Sequence, residues 1–235
     1  MYVSISSADE FIDFIRKKFF FNGGVVKNTK SMHPTVFNTL HSSGQEELES
    51  LYKDWAKKYD YDVIELIGYI GHIIATELLL KYLKNPELRI LDAGCGTGLV
   101  GGVLSQKGFQ NVVGVDFSQA MLEQAGDKDV YQSLELADLT EEFVFEDKTF
   151  DAVICAGTFT CAHVGPDALI EMVRVTKIGG YISFTVREQE WDSAPYAEVI
   201  ARLEALGKWQ RIEQCFTEYN LKEGASCQLC LYRVC

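Results

Sequence analysis

One glycine-rich turn constrains this chain of 235 residues more than any other feature. The run LDAGCGTG, residues 91–98, follows a short apolar segment and precedes a helix-like one. Glycine at positions 94 and 96 lets the main chain adopt conformations that other residues avoid, and it lets a ligand approach closely. The free N–H groups at the start of the next helix favour an anionic group such as a carboxylate or a phosphate. The turn therefore predicts a ligand site at the end of a strand.

The segments around this turn predict a mostly parallel sheet. The predicted strands are 88–93, 111–116, 131–136, 150–156 and 180–186, and the predicted helices between them are 98–108, 118–125, 167–176 and 196–206. Strands that alternate with helices favour right-handed crossovers, with helices on both faces of the sheet. Two last strands, 209–219 and 227–234, are separated by a short turn and are expected to pair as an antiparallel hairpin. The pattern predicts an α/β domain with seven strands.

The residues before this domain have a different pattern, which predicts an N-terminal helical cap. Helices are expected at 8–21, 46–58 and 62–83, and the third ends before an Asn-Pro pair. We expect residues 1–60 to form a cap or lid over the ligand site, and residues 61–235 to form the main domain. The phenylalanines of the first helix are expected to line an apolar acceptor pocket.

Three acidic residues are predicted at the ends of three successive strands. Asp116 ends the run VVGVD, 24 residues after Asp92, and Asp138 follows the next strand in ELADL. In an open sheet, ligands bind beyond the carboxyl ends of the strands, where the strand order reverses. A carboxylate at 116 can accept hydrogen bonds from both hydroxyls of a ribose, and one at 138 from the amine of an adenine. Each alone would be an ordinary polar strand-end residue, but together they indicate a nucleoside pocket.

The charge balance disfavours nucleic acid as a partner. The chain has 22 basic and 34 acidic residues, a net charge of −12. A uniformly acidic surface repels phosphate backbones. The composition therefore favours a small molecule or a protein side chain over DNA, and it leaves the oligomeric state open.

Cysteine usage and hydropathy predict a reduced, cytoplasmic protein. Cys227 and Cys230 have the spacing of a metal site, but no second pair or histidine cluster accompanies them. In a strand, residues three apart point to opposite faces, so no metal site is predicted. The apolar stretch 63–83 contains several charged residues, which disfavours a membrane span. The first residues show no secretory signal, and the expected location is the cytoplasm.

Several segments resemble successive motifs of the class I S-adenosylmethionine-dependent methyltransferases. They are LDAGCGTG, VVGVDFS, ELADL, FDAVICAG and EMVRVTKIGGYISFTV. The resemblance covers roughly residues 46–235. It implies a Rossmann-like three-layer sandwich, S-adenosyl-L-methionine as the cofactor and S-adenosyl-L-homocysteine as the product.

The resemblance also implies roles for individual residues. Those expected at the methionine and sulfonium part of the cofactor are Asp92, Gly94, Cys95, Gly96, Ala156 and Gly157. Those expected around the adenosine are Asp116, Phe117, Met121, Asp138 and Leu139. Tyr59 is expected to cover the cofactor from the N-terminal side, with packing as the alternative interpretation.

A nicotinamide enzyme is the competing interpretation of the glycine-rich turn. Residues 96–101, GTGLVG, also satisfy the dinucleotide pattern G-x-G-x-x-G, and an acidic residue about 20 positions on fits an NAD ribose. However, the chain has no Tyr-x-x-x-Lys pair of the kind that short-chain dehydrogenases use. The sequence also leaves no separate catalytic domain after the sheet.

We therefore expect an enzyme that transfers a methyl group in-line to an N, O or S nucleophile, most simply of a small molecule. His163 follows the fourth strand and, with an ordinary pKa of about 6.5, could act as a general base. The alternative for His163 is a loop histidine bonded to the backbone. A methyltransferase of protein or RNA, and a cofactor-binding protein without catalysis, are the two other hypotheses.

Overall fold

A seven-stranded sheet forms the centre of the domain. The computed structural model describes residues 33–42, 44–160, 164–193 and 195–235. The strands are β1 (Ile90–Ala93), β2 (Val112–Asp116), β3 (Ser133–Leu136), β4 (Phe150–Phe159), β5 (Thr176–Arg187), β6 (Trp209–Asn220) and β7 (Ala225–Val234). The helix predicted at 8–21, with its phenylalanines, lies outside the described residues.

The strand order places a topological switch point between β1 and β4. The order is β3-β2-β1-β4-β5-β7-β6. Strands β1 to β5 pair in parallel, whereas β7 runs antiparallel to both β5 and β6. The chain moves outward from β1 through β2 to β3 and then returns to the other side of β1 with β4. The predicted parallel sheet with an antiparallel C-terminal hairpin is confirmed.

The central strands are apolar at nearly every position because both faces of the sheet are covered. In β1, Ile90 packs into one core cluster and Leu91 into the cluster on the opposite face. Val112 and Val113 alternate in the same way in β2. Near-continuous apolar runs of this kind are typical of parallel strands buried between two helix layers.

Nine helical segments are found in the described residues. They are α1 (Pro34–Leu40), α2 (Gln45–Tyr61), a π-helix (Asp62–Ile67), α3 (Gly71–Leu80), α4 (Leu99–Gln106), α5 (Gln119–Gly126), α6 (Ala168–Val175), α7 (Glu188–Ser193) and α8 (Tyr196–Ala205). Helices α3 and α4 pack on one face of the sheet, and α6 and α8 on the other. This arrangement confirms the predicted three layers. In the residues that the structure describes, no helix combines the length and apolarity that crossing a membrane requires.

The predicted single helix over 62–83 is wrong, because the chain is interrupted around Gly68. The π-helix ends at Gly68, which has a φ of +73°. The N–H of Ile70 donates to the carbonyl of Tyr219 at 2.8 Å, and Tyr69 forms an isolated bridge with Asn220. Main-chain partners at the end of β6 thus replace the hydrogen bonds that a continuous helix would form. Helix α3 begins immediately afterwards, at Gly71.

The C-terminal hairpin separates the two cysteines that have metal-like spacing. Cys227 lies in the core cluster on the α3 face, and Cys230 lies in the cluster on the α6 face. Both thiols are free and buried. Within the described ranges, no group of three or more metal-ligating side chains is found.

Candidate functional site

A cavity of about 370 Å³ lies at the carboxyl ends of β1 to β4, beside the switch point. Eleven of the twelve residues predicted to contact the cofactor line it. They are Tyr59, Gly94, Cys95, Gly96, Asp116, Phe117, Met121, Asp138, Leu139, Ala156 and Gly157. Asp92 is the twelfth, and it is absent from the lining.

The glycine-rich turn is held against β2 by main-chain hydrogen bonds. The N–H groups of Gly94 and Cys95 both donate to the carbonyl of Val115, at 2.9 Å each. Gly94 and Gly96 have φ values of +75° and +53°, in the left-handed region that glycine adopts without strain. Among the described residues, no atom lies within 4 Å of a Cβ built on Gly96. The turn therefore leaves open space at Gly96, along the wall of the cavity.

Asp116 closes β2 with a buried carboxylate at the wall of the cavity. Its Oδ2 accepts from the N–H of Gly96 at 2.8 Å, and its Oδ1 accepts from the N–H of Ser118 at 2.9 Å. Burial raises the pKa of Asp116 to about 6, although these backbone amides act in the opposite direction. Each oxygen has a further lone pair, so the ionised carboxylate can accept two hydroxyl groups from the cavity.

Asp92 is fully buried behind the turn, away from the cavity. The hydroxyl of Tyr131 donates to its Oδ2 at 2.6 Å, and its Oδ1 has no partner within the described structure. Burial raises the pKa of Asp92 to about 7, while the bond from Tyr131 lowers it and the charge of Asp116 raises it further. The carboxylate is therefore held by Tyr131 and does not line the described cavity.

Asp138 also lines the cavity, where the chain leaves β3. Its Oδ1 accepts from the amide and the hydroxyl of Thr140 at 2.8 and 2.7 Å. Its Oδ2 accepts from Nε2 of Gln45 at 2.7 Å. Burial alone would raise the pKa of Asp138, but these donors outweigh it, and the pKa is lowered. The carboxylate is therefore ionised, and both of its oxygens already accept hydrogen bonds in the described structure.

Helix α2 covers the cavity with aromatic side chains. Tyr59 contacts Trp55 edge-on, with ring centroids 4.7 Å apart. Tyr52 contacts Phe117 edge-on at 5.7 Å. The indole N–H of Trp55 donates to Asp62 at 2.8 Å, which fixes the ring. These contacts place Tyr52 and Tyr59 on the N-terminal wall of the cavity.

The last turn of α2 is tied directly to the glycine-rich turn. The hydroxyl of Thr97 donates to Oδ1 of Asp60 at 2.5 Å, and the ammonium of Lys128 lies 2.7 Å from Oδ2 of Asp60. The same ammonium donates to the carbonyl of Thr97. Asp60, Thr97 and Lys128 therefore form one polar cluster, which we call the α2 clasp.

The end of β4 forms the floor of the cavity. Gly157 has a φ of +82°, and a Cβ there would lie 2.5 Å from the hydroxyl oxygen of Tyr69. The N–H of Gly157 donates to the hydroxyl of Thr185 in β5 at 2.9 Å. Thr158 and Thr160 follow on the lining. Glycine at 157 is thus required by the close approach of Tyr69.

His72 is a lining residue that the sequence analysis missed. It lies at the start of α3, is 7% exposed, and has an Nδ1 without a hydrogen-bond partner in the described structure. Burial lowers the pKa of His72 to about 4, so the imidazole is neutral near pH 7. The sequence signal that could have found it is Gly68, since the break there turns Tyr69 and His72 toward the cavity. His163, the predicted base, lies outside the described residues.

Comparison with known proteins identifies the class to which this fold and cavity belong. Residues 91–184 match a family model described as a methyltransferase domain. A TehB-like SAM-dependent methyltransferase from Corynebacterium glutamicum has the same fold, with a TM-score of 0.59 and 20% identity over 79% of this chain and 99% of that chain. The chain belongs to the methyltransferases, and its fold is that of solved S-adenosylmethionine-dependent enzymes.

Within this class, the chain is similar to methyltransferase-like protein 27 of Homo sapiens. The two are 38% identical over 166 residues, which cover 68% of this chain and 66% of that protein. The 18S rRNA (guanine-N(7))-methyltransferase of Bos taurus is 45% identical over 82 residues, 34% of this chain and 29% of that protein. The chain thus spans less than two thirds of the length of these curated relatives.

Proposed function

We propose that this protein transfers a methyl group from S-adenosyl-L-methionine to an N, O or S nucleophile of a small molecule. The observation that carries the proposal is the buried carboxylate of Asp116 on the wall of a covered cavity that begins at a glycine-rich turn. The cavity volume, about 370 Å³, is within the range of small-molecule sites.

The residues present fit this cofactor. Open space at Gly96 admits a ligand against the main chain, and the two free lone pairs of Asp116 suit a ribose diol. The ionised carboxylate of Asp138 suits the adenine amine. Ala156 and Gly157, at the end of β4, lie where the sulfonium would sit in this orientation.

The protein's contribution to the reaction is positioning. When bound, the cofactor supplies an activated methyl group and a neutral leaving group. The chain holds the nucleoside through Asp116 and Asp138, and α2 covers it and excludes water. An in-line approach of the nucleophile is then worth about 7–11 kcal/mol of the barrier. A proton acceptor is needed only for an acceptor that arrives protonated, and His163 and the neutral His72 are the candidates.

The first experiment is a calorimetric titration with S-adenosyl-L-homocysteine. Asp116→Ala should weaken binding by about 1.5–3 kcal/mol, the scale of hydrogen bonds to charged groups. Asp54→Ala removes an exposed carboxylate of α2 and serves as the matched control, with unchanged affinity expected. No heat and no thermal shift for the wild-type protein would reject the proposal. Wild-type affinity in Asp116→Ala would show that the ribose lies elsewhere.

Methylation of RNA is the second candidate, favoured by the similarity to the cattle rRNA enzyme. Against it stand the net charge of −12 and a described cavity lining that contains no lysine or arginine. Incubation with tritiated S-adenosyl-L-methionine and either total RNA or a small-metabolite library separates the two. Label in RNA alone would support the second candidate. Binding of the cofactor without label in any acceptor class would favour a non-catalytic binding protein.

A further inference from the structure

Arg187 is a buried cation at the carboxyl end of β5. It is the last residue of that strand and lies opposite Cys227 of β7, with 6% of its surface exposed. Alternate residues of a strand share a face, so Arg187 is on the same side as Thr185. The Thr185 hydroxyl accepts the N–H of Gly157, which lines the cavity. Arg187 therefore lies two residues beyond Thr185, on the face of β5 that contacts the cavity floor at Gly157.

The strand register brings Arg187 next to the open end of that floor. Phe159 of β4 pairs with Val186 of β5 in parallel. The next residue of each chain is Thr160, which lines the cavity, and Arg187. Thr160 and Arg187 thus each follow a paired position on two neighbouring strands, which lie about 4.8 Å apart.

The guanidinium of Arg187 has no partner in the described structure. Among the described residues, no ion pair or hydrogen bond to Arg187 is found, and its Nε is buried without a partner. A charge removed from water without a partner destabilises the folded protein. An anion that approached Arg187 would remove this cost.

The described cavity lining offers no cationic side chain to an anion. It carries the carboxylates of Asp116 and Asp138 but no lysine or arginine. Lys128, the cation of the α2 clasp, is already paired with Asp60. An anionic group of a bound acceptor would therefore find its counter-charge at Arg187.

We propose that Arg187 recognises a carboxylate or phosphate group on the methyl acceptor and so selects anionic small molecules as substrates. The planar guanidinium forms paired hydrogen bonds with either group. In this proposal the reacting nucleophile lies over the floor at Gly157 and Thr158, and the anionic group lies at the carboxyl end of β5. This inference rests on the proposed function, because it names the substrate class of that same site.

The test measures binding of three ring probes to protein saturated with S-adenosyl-L-homocysteine. The probes are benzoate, phenyl phosphate and benzamide, which is neutral. The wild-type protein should bind at least one of the two anions ten or more times more tightly than benzamide, and the better anion distinguishes a carboxylate from a phosphate acceptor. Arg187→Met should lose this preference, and Arg202→Met, which removes an exposed arginine of α8, should retain it.

Two further measurements keep the outcome clear. Arg187→Met should bind S-adenosyl-L-homocysteine within twofold of wild type, and its melting temperature without probe should be no lower, since it removes an unpaired buried charge. The preferred anion should raise the melting temperature of wild type but not of Arg187→Met. Equal binding of all three probes by wild type, or a retained preference in Arg187→Met, overturns the inference while the proposed function stands. Failure of wild type to bind S-adenosyl-L-homocysteine rejects both.

Discussion

At the scale of single residues, the protonation of Asp116 is the property most directly open to experiment. Its pKa is raised to about 6, chiefly by burial. The protonated carboxyl loses acceptor capacity for a ribose diol, so affinity for S-adenosyl-L-homocysteine should be constant above pH 7 and fall as the pH drops through 6. Calorimetry between pH 7.5 and 5.5 should show about a threefold loss or more.

The matched variant for this pH dependence is Asp116→Asn. It should bind more weakly than wild type at pH 7.5 and show little further loss at pH 5.5, because the titrating group is gone. Asp92, which has a pKa of about 7 in wild type, also titrates, and its pKa falls in the variant because the charge of Asp116 no longer raises it. A wild-type affinity that stays flat over this range would contradict the role of Asp116.

Two glycines of the same turn should respond differently to alanine. A Cβ at Gly94 would lie 2.2 Å from Oγ1 of Thr158, and φ is +75°, so Gly94→Ala should lower the free energy of unfolding by about 2–4 kcal/mol. A Cβ at Gly96 would meet nothing within 4 Å. Gly96→Ala should therefore cost only about 1–2 kcal/mol of left-handed strain while weakening ligand binding tenfold or more.

Denaturant unfolding and calorimetry on both variants check this pair. The two variants should separate, with stability lost mainly in one and affinity lost mainly in the other. Gly96→Ala with wild-type affinity would show that the ligand does not approach the turn.

Sequence patterns located most of the cavity residues but not their exact roles. The Asp-to-turn spacing predicted Asp92 beside the ligand, yet its side chain lies on the inner side of the turn, bonded to Tyr131. A strand-end residue can point to either face, and the sequence does not say which face the cavity occupies. His72 was not predicted as a cavity residue for a related reason. In a continuous helix over 62–83 it would be a buried core residue, with nothing to indicate that it lines the cavity.

At the scale of elements, the α2 clasp joins α2 to the glycine-rich turn. Lys128→Met removes the ion pair with Asp60, worth about 0.5–1 kcal/mol for a partly exposed pair. We expect amide exchange in residues 45–61 to accelerate by a factor of about two to five and ligand binding to weaken by a similar factor. Lys57→Met, on the exposed side of α2, is the control.

Hydrogen exchange followed by mass spectrometry reads this out directly. Saturating S-adenosyl-L-homocysteine should slow exchange over residues 45–61 in wild type, because α2 covers the ligand. Equal rates of amide exchange in α2 with and without ligand would show that this helix does not cover the ligand.

The strands were predicted more accurately than their ends. Strand β5 begins at Thr176, although Gly179 and Gly180 are typical of a turn. The pairing of β5 with β4 continues past these glycines through a register shift between Phe150 and Ala152. The break at Gly68 was missed because the surrounding stretch is apolar on all sides. A helix break in such a stretch does not interrupt any helical periodicity of the hydrophobic residues. Both errors arise where contacts distant in sequence decide the main-chain path.

At the scale of the whole molecule, ligand binding should stabilise the fold by mass action. S-adenosyl-L-homocysteine at a hundredfold its dissociation constant adds about 2.7 kcal/mol, which corresponds to a rise in melting temperature of about 5–10 °C for a chain of this length. Differential scanning fluorimetry measures the shift. Asp116→Asn at the same ligand concentration should show a smaller rise, and equal shifts in the two proteins would contradict the assignment of the ribose site.

The architecture as a whole followed from one alternating pattern. Buried strands separated by helix-length segments leave few topologies, and the short turn between β6 and β7 permits only an antiparallel pair. The strand order was not predicted, because the apolar runs of β1, β4 and β5 are interchangeable in composition.

The hydrogen bond between Gln45 and Asp138 has a kinetic consequence in the proposed complex. The amide of Gln45 already occupies Oδ2 of Asp138, the oxygen that an adenine amine would approach. Nucleoside entry and departure then each involve an exchange of partners at that oxygen. The hydrogen bond at the first turn of α2 would then slow the release of the nucleoside product. A variant without the Gln45 side chain should release the product faster.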